Sequence, residues 1–192
     1  MKVSMLGVGA AVVGFAQVAA MASTTFVATL TGANERPLAV DSPAQGYAIA
    51  TLDGGPGAYT LSYQVIYSGL TSEAVGGHIH VGINPPGSAP EEQVGPVVHA
   101  LDSLGSPIVG DWSSSDASNA LSDLLVDSLF DGELYINIHT TNFPNGEIRG
   151  NLNLSDGSGG GPVNAIPLPA PLAMGALGLL LAVPMGRRVL RK

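Results

Sequence analysis

No cysteine occurs among the 192 residues. That one absence removes disulfides, thiolate metal sites and the lipidated leader of bacterial lipoproteins. Positive charge is nearly missing from the middle of the chain. Of seven basic residues, Lys2 stands near the start and Arg187, Arg188, Arg191 and Lys192 at the end. Only Arg36 and Arg149 lie between residues 23 and 161, which hold all fifteen acidic residues, a net −13 against −8 for the whole chain. Such a surface repels nucleic acid and anionic lipid and attracts cations, so no nucleic-acid partner is expected. Gly-x-Ser-x-Gly is also absent, and with it the elbow of one hydrolase class; no catalytic residue is assigned. The pairs Asp131/Glu133 and Glu91/Glu92 lack the dense alternating aspartates of a calcium loop.

What is present divides the chain into four parts. Residues 1–22 carry one lysine, an uncharged small-apolar run and then Ala20-Met21-Ala22, the pattern of a secretory signal cleaved before Ser23. Residues 23–154 form the body, residues 155–165 a Gly/Ser/Pro linker, and residues 166–192 a C-terminal segment. The apolar run 172–185 in that segment gives about 21 Å of helix, short of a bilayer core of about 30 Å. Ile166-Pro167-Leu168-Pro169-Ala170, the apolar run and Arg187-Arg188 together resemble the PEP-CTERM class of bacterial sorting signals. The resemblance implies an exosortase-type membrane protease as partner, transient anchoring in the inner membrane, and delivery to the cell surface or beyond it. A plain single-span anchor is the alternative.

Within the body, apolar and polar residues alternate in short runs at 25–31, 46–52, 58–68, 76–82, 97–101, 107–112, 134–140 and 147–154. Asp53-Gly54-Gly55-Pro56-Gly57 and Asn145-Gly146 are strong turn signals. One amphipathic helix is expected over 113–130, with Ala117, Leu121, Leu124, Leu125 and Leu129 on its apolar face. Many short strands with frequent turns predict an all-β antiparallel Greek-key sandwich with one short helix.

The chain has four histidines, and their placement is the main chemical signal. In Gly76-Gly77-His78-Ile79-His80-Val81-Gly82 the two imidazoles share one strand face while Ile79 and Val81 take the other. In Leu134-Tyr135-Ile136-Asn137-Ile138-His139-Thr140 the aliphatics again claim one face and His139 the other. If the two strands neighbour each other, three imidazoles converge, and such a set suits copper or zinc rather than calcium. His99 or water would complete the shell. A purely structural role, with the rings hydrogen-bonded on a sheet face, stays open beside metal binding. Glu147 and Arg149 share a face and read as a solvated ion pair, the alternative being that Arg149 orders the sandwich end or steers an anion.

Phe26-x-x-x-Leu30-x-Gly32-x-Asn34-Glu35-x-Pro37, Gly46, His78-Ile79-His80, Gly132-x-x-Tyr135-Ile136-Asn137-Ile138-His139-Thr140 and Pro144-Asn145-Gly146-Glu147-Ile148-Arg149-Gly150 resemble, in that order, the CHRD domain first described in chordin. The match spans nearly the whole body. It implies an immunoglobulin-like sandwich in an extracellular setting, with His78, His80 and His139 on recurrent histidine positions. His99 is an extra of this sequence, and Leu38 replaces a second proline. No activity follows for most bacterial members. The expected function is a non-catalytic extracellular interaction or matrix module with a possible copper or zinc site. The alternative is a redox-active copper protein, since Gly-x-His-Ile-His also resembles, weakly, the copper strand of copper/zinc superoxide dismutases.

Overall fold

The computed structural model describes residues 23–155. The expected leader at 1–22 and the expected sorting segment at 166–192 lie outside the described residues, as does nearly all of the expected linker at 155–165. Among the described residues no helix is long and apolar enough to cross a membrane.

The expected alternation produces nine strands: β1 (Thr24–Thr31), β2 (Gln45–Asp53), β3 (Thr60–Ser68), β4 (Ala74–Val81), β5 (Val97–Ala100), β6 (Ile108–Ser113), β7 (Leu134–Thr140), β8 (Ile148–Asn151) and β9 (Asn153–Leu154). All pairs are antiparallel, in the order β5-β4-β7-β8-β1-β2-β3-β6, with β9 beside β1. The fold is all-β. The sheet doubles over on itself, because Tyr63 of β3 and Trp112 of β6 meet His99 of β5, at ring-centroid distances of 5.8 and 5.1 Å. Strands far apart in the order thus face each other across one core.

That core is made by the alternating residues. Phe26, Leu30, Leu61, Val65, Ile79, Leu134, Ile136, Ile138 and Ile148 are fully buried, and Val81 packs half-buried against them. Each such aliphatic contributes about 1.5–3 kcal/mol through burial. The first strand closes the sandwich at both ends: Thr31 pairs with Arg149 of β8, Phe26 with Leu154 of β9, and the Ser155 N–H donates to the Thr25 carbonyl at 2.8 Å.

The helix is shorter than its apolar spacing suggests. Within 113–130 only α1 (Asp123–Phe130) is helical, with the Ser122 hydroxyl accepting from the Leu125 N–H at its start. Residues 113–121 are held otherwise, because local polar side chains compete for the backbone. The Asp116 carboxylate accepts from the Ser113 N–H at 3.0 Å, and Trp112 Nε1 donates to the Asn119 carbonyl at 2.5 Å. The buried face therefore runs through Leu121, Val126 and Leu129, while Leu124 is 78% exposed.

Candidate metal centre

β4 and β7 are direct neighbours, so their inward aliphatics fix which way the remaining side chains point. His78 stands opposite Asn137, His80 opposite Tyr135, and Gly76 opposite His139. Gly76 matters for its lack of a side chain. A Cβ there would lie 3.0 Å from His78 Cε1 and 3.5 Å from His139 Cδ2, in the space the two rings share. The ring centroids are 5.0 Å apart for His78 and His139, 5.7 Å for His78 and His80, and 5.9 Å for His80 and His139. One nitrogen from each ring lies within 4.8 Å of the others. Bonds to a metal of about 2.0–2.1 Å need nitrogens about 3.3–3.6 Å apart, a small inward rotation of the rings.

Hydrogen bonding sorts the nitrogens. His80 Nδ1 lies 3.0 Å from the Gly95 carbonyl and His139 Nδ1 lies 3.1 Å from the Pro144 carbonyl. A carbonyl only accepts, so both Nδ1 atoms carry the proton and both Nε2 atoms present a lone pair. His80 Nε2, His139 Nε2 and His78 Nδ1 are buried without a partner. An unpartnered buried nitrogen on each of three clustered rings fits a metal ion, and carbonyl-oriented imidazoles, here His80 and His139, are the usual support of such ligands. Burial holds all three rings below the usual histidine range, His80 down to about 4, which keeps them neutral and able to coordinate.

The face is roofed rather than open. Arg149, 1% exposed, places its guanidinium carbon 3.7 Å from the centre of the Tyr135 ring, and Tyr135 stacks on His80 at 4.9 Å and 9°. The same guanidinium donates to the Gln93 carbonyl at 2.6 Å, and Asn151 Nδ2 donates to the Pro90 carbonyl at 3.2 Å. These bonds draw the 83–95 loop onto the sheet and so set the Gly95 carbonyl against His80. Only glycine serves at that position, because a Cβ would collide with the Val81 carbonyl oxygen. On the other side, Glu35 lies 2% exposed with Oε2 accepting from Asn137 Nδ2 at 3.2 Å, and burial raises its carboxyl to about 7.

His99 does not join the cluster. It pairs with Ile79, an inward residue, so it points into the sandwich, 3.3 Å from the Tyr63 hydroxyl and stacked on Trp112. Glu147 and Arg149 are not a solvated pair. Both are buried, and the Glu147 carboxylate accepts from Ser42, Thr140 and both the N–H and hydroxyl of Thr71. Sequence reasoning passed over Tyr135, Gly95 and Glu35; Glu35 and Tyr135 stood within recognised motifs but carried no role, and Gly95 gave no local signal.

Compared with known families, residues 26–152 match the CHRD domain. No curated protein and no solved structure matches the chain.

Proposed function

The chain belongs to the CHRD-domain family, and on that premise we propose that it is an exported, surface-delivered module whose three-histidine cluster binds one copper or zinc ion. The observation that carries the metal reading is the trio of unpaired, buried nitrogens on His78, His80 and His139, two of them oriented by backbone carbonyls. Buried polar atoms without partners are rare in folded proteins, and one on each of three clustered rings calls for a common partner. Export and delivery rest on the leader at 1–22 and on the tripartite tail at 166–192, with an exosortase-type protease as processing partner. Matrix or other surface components are then the surroundings in which the domain works, and the activity is binding rather than catalysis.

Elemental analysis and calorimetric titration of the full chain test the metal reading. One ion per chain is expected, weakened sharply by His78→Ala, His80→Ala or His139→Ala and little by His99→Ala. No copper or zinc binding tighter than about millimolar, or equal binding by the triple alanine variant, overturns it.

A further inference from the structure

Taking the three-histidine site as a metal centre, its charge surroundings say which ion it prefers. Dications bound by neutral imidazoles ordinarily gain from a carboxylate close by, as a ligand or just behind one. Here the supply of carboxylates is large, fifteen against seven basic residues, yet among the described residues none bears on the three rings. Burial and the other histidines govern His78 and His139, and the one charged side chain that bears on His80 is Arg149. That guanidinium is buried, and its Nε has no partner. Among the described residues its only charged neighbours of opposite sign act at a distance, and the one ion pair is Arg36 with Glu92, which leaves Arg149 out. Tyr135, sandwiched between Arg149 and His80, excludes water from the path between cation and ligand. Glu35, the nearest buried acid by network, keeps its proton on the acid side of about 7.

We propose that this centre selects monovalent copper, Cu(I), over divalent ions. A buried fixed cation repels a dication about twice as strongly as a monocation at the same distance. Three neutral nitrogens satisfy Cu(I), a filled-shell ion content with three ligands. Zn(II) and Cu(II) instead require a fourth ligand, and with no carboxylate at hand that ligand is a water or an anion from solution, neither of which the chain supplies. The site therefore discriminates by charge rather than by ligand type, since its imidazoles alone accept copper in either state and zinc.

The test is a ranking of affinities on the full chain at about pH 6.5, where Glu35 is mostly protonated and burial favours the neutral imidazoles. Cu(I) is titrated anaerobically against bicinchoninate with ascorbate present; Zn(II) and Cu(II) are titrated against divalent chelators in a buffer free of coordinating anions. The expected result is Cu(I) held at least about tenfold more tightly than either dication, and the preference narrowed about tenfold in Arg149→Gln. Zn(II) or Cu(II) bound as tightly as Cu(I) overturns the proposal while leaving a metal site in place. Binding of no ion overturns the site itself. Should Arg149→Gln fail to fold, the wild-type ranking alone decides; should it fold with an unchanged preference, Arg149 is not the cause and the proposal falls.

Discussion

Replacing Glu35 by glutamine should make the protein more stable, and only on the alkaline side. The carboxyl is 2% exposed, and burial outweighs the Asn137 hydrogen bond and the two arginines, lifting it from 4.5 to about 7. A carboxyl raised in this way holds its proton in the folded chain after the unfolded chain has released it. Its contribution is therefore fully present below about pH 4.5 and is lost as pH rises through about 7. The shift corresponds to roughly 3 kcal/mol, accumulating at about 1.4 kcal/mol per pH unit. Glutamine keeps the shape and cannot ionise, so Glu35→Gln should match the wild type near pH 4.5 and exceed it by up to about 3 kcal/mol at pH 8. The lowered histidines act with the opposite sign, losing stability as pH falls below about 6.5, but they are common to both proteins and cancel in the difference. Urea titrations with a chelator present, at half-unit steps from pH 4.5 to 8.5, measure it. With a urea slope of about 1–3 kcal/mol/M the midpoint should move by about 1 M or more at the alkaline end. A difference that stays constant with pH, or one that favours the wild type at pH 8, refutes the assignment of Glu35 as a buried neutral acid.

Ile136 is fully buried in β7, and Ile136→Ala should destabilise by about 2–5 kcal/mol; a change near zero in urea would mean the strand faces are reversed. Gly95→Ala should weaken metal binding without touching a ligand, because the carbonyl that fixes the His80 tautomer must move; unchanged affinity would show that carbonyl to be dispensable. Ser122→Ala removes the helix cap and should cost about 1 kcal/mol by thermal or urea unfolding. Changing Arg187, Arg188, Arg191 and Lys192 to Gln should leave unprocessed chain in the membrane, and a mature protein whose intact mass retains the C-terminal residues would sink the sorting proposal.

The face carrying the histidines was legible because β4 from Gly76 and β7 alternate there: once Ile79, Ile136 and Ile138 go inward, His78, His80 and His139 have one place to go. His99 was not legible in the same way. Val97 and Val98 give β5 no alternation, and the register shifts between Ile79 and His80, so parity along β5 could not be counted from the sequence. Arg149 and Glu147 read as solvated because charged residues in strands usually are. Their burial comes from the loops at 32–42, 71 and 83–95, contacts between residues far apart in sequence. The apolar spacing at 117–130 is helical on paper, but backbone N–H bonds to the Asp116 carboxylate and the Ser113 hydroxyl, with a Ser113–Ser115 hydroxyl contact, win over 113–121, leaving two turns of helix.

The hydrogen bond from the Ser155 N–H to the Thr25 carbonyl gives the body a single point of suspension. Chain enters and leaves at neighbouring backbone atoms, so a copy of this domain could be spliced into a surface loop of another protein while spreading that loop by little more than the width of a strand pair. The same adjacency means that a short linker could join residue 155 to residue 23 and the chain be reopened elsewhere, for example in the mostly exposed 54–58 turn between β2 and β3. In a tandem array each unit would hang sideways from a common thread, and the array's length would be set by the spacers alone.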